Sequence, residues 1–406
     1  MKAIVFLDSN KSGSSREAIR AADRLGYVTI LITDRQSFLT KRQEFPDVHR
    51  MIYKNLNDME DLRKQLRDLQ EQGFKIELVV SFVERRVHAA ALLNLECTES
   101  TQSVEAIPVM ENKIKTREAL RDTPYGLAFS TLENSEDILS FLTELENQLP
   151  LIIKNPNSTG SKDVIKVNNY NQLVRETHRL QKRYPGDPIL FEEVVDGPQY
   201  LVEALVEDGV VHIAAVIEQD ITTGSRFIIT GYSVMPTHDA EFAFSLVEAV
   251  TDIITTVGLE RGPCHLEMRL CEGQWKLIEI NPRISGGAMN AMIEAAFGTS
   301  LVEETLKLLL GLKIDLSHRI ERHIYTHYIT VEETGRLERV TGRRKASAMP
   351  GVLEVFVKPR KGQMLYEPES MGHRYAYVIA TGETAEEAKQ NAINAGAHIQ
   401  FEVYER

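Results

Sequence analysis

The sequence predicts an α/β protein with a small open parallel sheet at its start, an α+β region in its middle and a strand-rich end. Three observations favour this fold class. Apolar strands alternate with amphipathic helices across residues 1–112, which is typical of an open parallel sheet. Hairpin turns and polar loops separate the shorter strands of residues 113–310. Residues 311–406 are rich in strands and contain one clear helix, 384–395.

Charge and cysteine content exclude several classes of partner and site. With 47 Lys and Arg against 59 Asp and Glu, the net charge of −12 argues against bulk binding of nucleic acid or of an anionic membrane. No apolar run approaches the ~18 residues of a spanning helix. Three cysteines without CxxC spacing indicate reduced thiols, with no disulfide framework and no zinc site. The N-terminal MKAIVFLDSN indicates a short strand and not a signal peptide, so we expect a cytoplasmic protein.

The chain begins with a strand–helix–strand unit. Residues 2–8 form an apolar strand, Ser14 with Glu17 fits a capping box at the start of the next helix, and Gly26 fits the end of that helix. The first loop has one glycine and no GxGxxG pattern, which favours a scaffold role or contact with a small substrate over a dinucleotide site. A later strand ends near residues 81–84, and ligand crevices of open sheets lie at such carboxyl ends.

The most informative stretch is 265–287, which predicts two strands joined by a tight turn at Glu272-Gly273. Glu267 lies on the first strand and Glu279 on the second. They would lie directly opposite if the connection held an odd number of residues, and a change of one residue would offset them. Adjacent carboxylates repel unless a cation lies between them. Asn281 adds an amide oxygen on the face of Glu279, and these ligands together suit Mg²⁺.

Arg283 follows this group and can reach an anion that the metal holds. The alternative is an ordinary amphipathic hairpin with solvated charges. That alternative explains any one of these side chains well, but it explains poorly why two carboxylates, an amide and an arginine share one hairpin.

Two lysines and a loop suggest phosphate binding. Lys113 opens a helix, and Lys154 ends an apolar strand before the small, polar loop 157–162. Such a loop can fold its backbone N–H groups over phosphates while a lysine supplies a point charge. The loop lacks the GxxxxGK[ST] pattern, and taken alone it is better explained as a surface hairpin turn. Farther on, the strand bearing Glu192-Glu193-Val194 can present backbone edges to a flat base and a carboxylate to a ribose.

The order and spacing of these motifs resemble the ATP-grasp superfamily. Within it, EINPRISGG and the strand-rich end resemble the L-amino acid ligases, carboxylate–amine ligases that join free amino acids. The resemblance implies an ATP-grasp fold over residues 113–310, divided into a subdomain 113–187 with the phosphate loop and a subdomain 188–310 with the metal and ATP site. It also implies an open-sheet domain before this region, 1–112, and a C-terminal subdomain after it, 311–406.

The resemblance also implies a role for each matching residue. Lys113 and Lys154 would contact ATP phosphates, Ser158, Thr159, Gly160 and Ser161 would form the mobile phosphate loop, Glu192, Glu193 and Val194 would form the adenine hinge, and Glu267, Glu279 and Asn281 would hold Mg²⁺. Arg283 corresponds to the arginine that steadies the phosphoryl group and the tetrahedral intermediate.

The sequence departs from the family pattern at several positions. Gln199 stands where many relatives have a glutamate for the ribose hydroxyls, and its amide can still hydrogen-bond a hydroxyl. Tyr232 stands where some amino acid ligases have a histidine, and Gly287 where they have a bulky aromatic residue. With Ser285 and Gly286, these positions would border the amino acid pocket. The small Gly287 implies tolerance of a larger N-terminal amino acid.

The resemblance implies an ATP-dependent ligase that activates one L-amino acid as an acyl phosphate and joins it to the amine of a second, giving a dipeptide, ADP and phosphate. ATP and Mg²⁺ would be the cofactors, with Mn²⁺ as a substitute, and the chain could form a homodimer. Two alternatives stay open. The same fold could serve a biotin carboxylase-like or purine-pathway-like enzyme, or a non-catalytic ATP-binding sensor.

Overall fold

A computed structural model describes the chain over residues 1–133, 137–158, 160, 163–222, 227–235 and 239–404. Its first part is a parallel sheet with strand order β3-β2-β1-β4, which confirms the predicted open sheet. Its elements are β1 (Lys2–Leu7), α1 (Ser14–Arg24), β2 (Val28–Thr33), α2 (Gln36–Thr40), β3 (Arg50–Tyr53), α3 (Met59–Glu71), β4 (Lys75–Val80), α4 (Val87–Cys97) and α5 (Ile107–Glu111). Residues 3–7 of β1 are all buried, as expected for a parallel strand covered on both faces.

The start of α1 differs from the prediction. Gly13, at φ 78°, precedes the helix as its N-cap, and no side chain caps it. The Ser14 hydroxyl instead donates to the carbonyl oxygen of Ser285. The predicted capping box with Glu17 is therefore wrong, because tertiary contact with the loop after the central hairpin takes the hydroxyl. Gly26 follows the helix at φ 83°, as predicted.

The second part is a small antiparallel sheet with strand order β5-β8-β6-β7. Its elements are α6 (Lys113–Ala119), β5 (Phe129–Leu132), α7 (Ile138–Leu145), β6 (Leu151–Lys154), β7 (Ile165–Val167), α8 (Tyr170–Arg183) and β8 (Ile189–Glu193). Helices α7 and α8 share a hydrophobic core with the sheet. The loop predicted to bind phosphate connects β6 to β7, so it is a hairpin loop as well.

A long antiparallel sheet, of strand order β13-β12-β9-β10-β11-β14-β18-β16, carries the central hairpin. Its elements and their neighbours are β9 (Gln199–Glu207), β10 (Val210–Ile221), β11 (Ile229–Val234), α9 (Ala240–Thr256), β12 (Gly262–Cys271), β13 (Gln274–Asn281), α10 (Met289–Phe297), α11 (Leu301–Leu309), β14 (His323–Ile329), β15 (Gly335–Thr341), α12 (Arg343–Ser347), β16 (Val352–Val357), β17 (Met364–Leu365), β18 (Ala376–Gly382), α13 (Ala385–Gly396) and β19 (Gln400–Tyr404). A further sheet has the order β17-β15-β19.

Helix α9 packs on one face of the long sheet, and α1, α10 and α11 share a core with its other face. The strand-rich end is confirmed, and β14, β18 and β16 extend the same sheet as β9–β13. The boundaries at 112, 187 and 310 stay predictions. No helix in the described part of the chain is long and apolar enough to span a membrane.

Candidate active site

The central hairpin places two carboxylates side by side. Its turn holds two residues, Glu272 at φ 48° and Gly273 at φ 80°, the positive φ pair of a type I′ turn. A two-residue turn alone would pair Glu267 with Ile278. A β-bulge shifts the register between Met268 and Glu267, with Ile278 as the extra residue. Glu267 therefore lies directly opposite Glu279. The bulge therefore adds the one residue that makes the connection odd in number, as facing carboxylates require.

The two carboxylates have very different proton affinities. Burial, and then the charge of Glu279, raises the pKa of Glu267 to about 7. Burial also acts to raise the pKa of Glu279, but Lys113, the amide of Asn281 and Lys154 outweigh it and lower the pKa to about 2. One carboxylate is thus ionised near neutral pH while the other resists ionisation, as expected for two buried carboxylates that face each other.

This pair fits a divalent cation that the substrate helps to hold. Among the described residues there is no group of three or more His, Cys, Asp or Glu that could bind a metal by itself. Mg²⁺ is usually bound by one or two carboxylates together with substrate phosphates, so two carboxylates suffice. Asn281 lies on the same strand face, and its Nδ2 donates to Glu279 Oε1 at 3.0 Å and contacts His265 Nε2 at 3.2 Å.

Helix α6 carries two cations, one turn apart, to this site. Asn112 caps the helix by accepting from the backbone N–H groups of Ile114 and Lys115. Lys113 Nζ lies 3.3 Å from Glu279 Oε2 and donates to the carbonyl oxygen of Ser158 at 3.1 Å. Lys113 therefore joins Glu279 to the loop predicted to hold phosphates. Gly160, at φ 66°, lies in this loop, whereas Thr159 and Ser161 lie outside the described residues.

Arg117, four residues later, belongs to a buried charge cluster. Its Nε donates to Glu192 Oε1 at 2.7 Å, and its Nη2 donates to the carbonyl oxygen of Ile278, the bulge residue, at 2.6 Å. Lys154 Nζ lies 2.5 Å from the other oxygen of Glu192. Burial lowers the pKa of Lys154, Glu192 opposes that effect and Arg117 adds to it. Arg117 thus binds the bulge carbonyl and shares the Glu192 carboxylate with Lys154, the lysine predicted to contact phosphate.

A cleft of about 490 Å³ lies between the small antiparallel sheet and the long sheet. Its lining includes most of the predicted nucleotide residues: Lys154, Glu192, Glu193, Val194, Gln199, Glu267 and Glu279. Glu193 Oε1 accepts from the backbone N–H of Ala128 at 2.9 Å. The carboxylate of Glu192 is engaged by Arg117 and Lys154, so what it offers a nucleotide is its backbone.

Gln199 is held on both sides of its amide. Its oxygen accepts from Arg269 Nε at 3.0 Å, and its nitrogen donates to Gln219 Oε1 at 2.6 Å. Because Arg269 can only donate, it fixes the orientation of both glutamine amides. The nitrogen of Gln219 is buried and has no hydrogen-bond partner among the described residues.

Arg283 lies where the open parallel sheet meets the central hairpin. Its Nη2 donates to Glu84 Oε2 at 2.8 Å, and the Arg283 side chain is 15% exposed. Glu84 follows the end of β4, where the sequence predicted the edge of a ligand crevice. This edge therefore lies next to Arg283. Glu111 is close by, and burial, followed by the charge of Glu84, raises its pKa to about 7 while Arg283 opposes the rise. A cation and two carboxyl groups therefore lie together at this end.

The predicted substrate residues form two groups. Ser285, Gly286 and Gly287 follow Arg283, and Gly287 has a φ of 68°. A Cβ at Gly287 would lie 3.7 Å from the hydroxyl of Tyr328. Tyr232 packs edge-on against Tyr328, with ring centres 5.6 Å apart. Tyr328 therefore connects the glycine loop to Tyr232.

Comparison with known proteins agrees with this geometry. The sequence model of the ATP-grasp domain matches residues 147–291, and that of the L-amino acid ligase C-terminal domain 2 matches residues 327–404. The chain contains an ATP-grasp domain. The central hairpin, the loop between β6 and β7, and strand β8 all lie within the matched residues.

Individual relatives are distant. The chain is 27% identical over 237 residues to the uncharacterized protein y4rH of Sinorhizobium fredii, a match that spans 57% of this chain and 48% of y4rH. It is 25% identical over 198 residues to the carbamoyl phosphate synthase large chain of Methanothrix thermoacetophila, spanning 47% of this chain and 17% of that one. The chain thus spans about half, or less, of the length of these relatives.

Among solved structures, an L-amino acid ligase from Bacillus licheniformis shares the fold, with a TM-score of 0.83 and 21% identity, over 100% of this chain and 99% of that one.

Sequence reasoning missed several residues of the ATP-grasp site. Arg117 carried a usable signal, because it lies four residues after Lys113 and so on the same helix face. Glu84 carried a weaker signal, its place at the strand end near residues 81–84 that predicted a crevice. Arg269 and Glu203 carried none, since each contacts the site from an element that only the fold brings near. Glu203 is fully buried on β9 beneath Ser285.

Proposed function

We propose that this protein is an ATP-dependent ligase that joins the carboxylate of one L-amino acid to the amine of another. The observation that carries the proposal is the pairing of Arg283 with Glu84 at the end of the hairpin that holds Glu267 and Glu279. A free amino acid is a zwitterion, so it needs a cation for its carboxylate and an anion for its ammonium group. Arg283 supplies the first, and Glu84 with Glu111 supplies the second.

The nucleotide side of the site supports phosphoryl transfer. In this proposal the cleft between the two sheets binds ATP, with the backbone of Glu192 to Val194 facing the base. Lys113 and Lys154 place positive charge next to the phosphates. Mg²⁺ on Glu267, Glu279 and Asn281 would neutralise charge on the transferred phosphoryl group. These residues would position ATP and stabilise the charge of the transition state, which is what phosphoryl transfer requires of a protein.

The reaction then proceeds in two steps. The donor carboxylate attacks the γ-phosphorus of ATP, forming an acyl phosphate and releasing ADP. The acceptor amine attacks the acyl carbon, the phosphate leaves, and the amine loses a proton. Arg283 stabilises the oxyanion of the tetrahedral intermediate, a contribution worth roughly 10²–10³-fold in rate at comparable sites. The acyl phosphate is sensitive to water, so the site has to exclude water before the acyl phosphate forms.

The test is phosphate release from Mg-ATP across all pairs of the twenty amino acids, with products identified by mass. Release that needs two amino acids and forms a dipeptide supports the ligase. Release that needs bicarbonate and no amino acid contradicts it and favours the carboxylase alternative. Absence of release under both conditions, with ATP still bound, favours the sensor.

Arg283→Ala tests whether the activity belongs to this site. We expect it to lower dipeptide formation at least 100-fold while the protein stays folded. Arg339→Ala is the matched control, because Arg339 is 67% exposed and pairs with Glu402 at the surface. Near wild-type turnover of Arg283→Ala would contradict the assignment.

A further inference from the structure

A short segment at the C-terminal side of the molecule reaches into the site. Met371–His373 form a 3₁₀ turn before β18. The backbone N–H of Met371 donates to the carbonyl oxygen of Gly160 at 3.3 Å, and the Met371 sulfur accepts from the backbone N–H of Ile229 at 3.4 Å. The segment therefore connects the loop predicted to bind phosphates with strand β11, and Arg374 follows it directly.

The Arg374 guanidinium lies against the wall predicted to border the amino acid pocket. It stacks on Tyr328, with its central carbon 3.9 Å from the ring centre. Its Nη1 lies 3.4 Å from the hydroxyl of Tyr232. It also interacts electrostatically with Glu267. Arg374 thus lies between the metal carboxylates and the pocket wall that includes Tyr232 and Gly287.

The charge of Arg374 is not balanced by an ion pair in the described part of the chain. Its contacts are neutral and long, at 3.3–3.4 Å, to the carbonyl oxygens of Met371 and Ile229 and to Tyr232. Arg283 differs, because Glu84 accepts from it at 2.8 Å. Glu267 attracts Arg374 without forming an ion pair with it, and a partly buried cation with neutral hydrogen-bond partners costs free energy that a directly bound anion would lower. Stacking on Tyr328 occupies the guanidinium face, and the three hydrogen bonds use Nε and Nη1, so Nη2 is the nitrogen available to a carboxylate oxygen.

We propose that Arg374 binds the α-carboxylate of the acceptor amino acid. This inference rests on the proposed ligase function. The donor carboxylate is converted to an acyl phosphate and then to an amide, whereas the acceptor carboxylate stays anionic from binding to product release. It needs a cation that takes no part in the chemistry. Arg283 serves the reacting carbonyl, and Arg374 is the second arginine at the same pocket.

The experiment compares free L-amino acids with the corresponding L-amino acid amides as acceptors, in phosphate release from Mg-ATP with mass detection. A charge-assisted carboxylate contact is worth roughly 10- to 100-fold in affinity. We expect wild type to show an acceptor KM that much lower for the acid than for the amide. Arg374→Met should raise the KM of the acid by the same factor and leave the KM values of the amide, the donor and ATP unchanged. Arg374→Lys should fall between the two.

The controls separate the possible failures. Arg339→Met removes a surface arginine and should keep the preference of wild type for acids. Equal use of acids and amides by wild type overturns the proposal without any variant. A preference for acids that persists in Arg374→Met also overturns it. A variant in which only the KM for ATP rises overturns it too, because the guanidinium would then bind a phosphate of ATP. No amino acid-dependent release by wild type overturns the ligase function itself, and this inference with it.

Circular dichroism shows whether Arg374→Met folds. If it does not, Arg374→Lys supplies the comparison, and an acid-to-amide ratio equal to that of wild type overturns the proposal.

Discussion

Glu203 lies directly beneath Ser285, with each of its carboxylate oxygens 3.2 Å from the Ser285 amide nitrogen. The side chain is fully buried on β9. Burial raises the pKa of Glu203 to about 7, while hydrogen bonds from Ser285 and the charge of Arg283 act against the rise. The loop that follows the proposed catalytic arginine therefore rests on a carboxyl group that changes charge near neutral pH.

This pKa predicts a pH-dependent effect of Glu203→Gln. The folded protein holds the Glu203 proton more tightly than the unfolded chain, whose carboxyl group titrates near 4.5. Stability from this group is therefore present below pH 4.5 and is lost as the pH rises through 7. The amide has no such titration. We expect the free energy of unfolding of Glu203→Gln, relative to wild type, to increase by up to about 3 kcal/mol between pH 5 and pH 8.

The measurement is urea denaturation of both proteins at pH 5, 6, 7 and 8. Glu207→Gln on the same strand is the matched control, since Glu207 is partly exposed and pairs with Arg261. If the stability difference for Glu203→Gln stays constant over this range, Glu203 does not titrate in the folded protein as described.

The sequence was sufficient to predict what depends on local pattern. Alternating strands and helices predicted the open sheet, and Glu272-Gly273 predicted the tight turn, because a positive φ pair favours these residues. The register of the hairpin could not be predicted. The bulge at Ile278 has no local signature, and its position is set partly by Arg117, which binds the bulge carbonyl from a distant helix.

The Ser14 capping box failed for a related reason. A hydroxyl at a helix start can cap the helix or bind elsewhere, and local sequence gives no information about the Ser285 carbonyl that becomes its partner. Glu203 and Arg374 were likewise missed because each reaches the site from a different strand or terminal segment, and Glu84 was predicted only as part of a crevice edge. Motifs predicted many of the residues that line the cleft, whereas the residues that support them depend on tertiary packing.

The buried cluster of Arg117, Glu192 and Lys154 predicts a large loss of stability for Arg117→Met. All three side chains are 4% exposed or less. Glu192 keeps Lys154 as a counter-ion in this variant, but its Oε1 loses its donor, and a buried acceptor without a donor costs about 1–3 kcal/mol. Arg117→Met also leaves the Ile278 carbonyl without its donor. We expect a loss of this size in the free energy of unfolding, measured by urea denaturation.

The matched control for this cluster is Arg175→Met. Arg175 is 69% exposed and pairs with Glu176 on a helix surface, so its removal should cost less than about 1 kcal/mol. Equal effects of the two substitutions would mean that the Arg117 cluster contributes no more than a surface ion pair.

The facing carboxylates predict the response to metal. We expect Mg²⁺ to increase the thermal stabilisation that ATP gives to wild type, and Glu267→Gln or Glu279→Gln to lose that increase. Binding at 100 times Kd stabilises by about 2.7 kcal/mol, which a thermal shift detects readily. Without metal, Glu267→Gln should be no less stable than wild type, since it removes one of two repelling charges. Turnover should fall at least about 100-fold in each variant.

Glu248→Gln is the control for the metal experiment, because Glu248 is exposed on α9. It should keep the wild-type response to Mg²⁺. A full Mg²⁺ response in Glu279→Gln would mean that the metal does not bind to this hairpin.

The glycine loop predicts a change in specificity for Gly287→Trp. Gly287 has a φ of 68°, which costs a side-chain-bearing residue roughly 1–2 kcal/mol. A Cβ there would lie 3.7 Å from the Tyr328 hydroxyl, so larger groups would extend along the pocket wall. We expect Gly287→Trp to accept small donor amino acids and to reject large ones, with kcat/KM for large donors reduced roughly 10- to 100-fold relative to small ones.

Gly287→Ala separates the two effects of this substitution. It introduces the same backbone strain, so it should lose similar stability, but its methyl group is too small to close the pocket. The measurement is kcat/KM for a series of donor amino acids of increasing size with all three proteins. If Gly287→Trp ligates large and small donors in the wild-type ratio, Gly287 does not border the donor side chain, and the wall that Tyr328 and Tyr232 form must face another group.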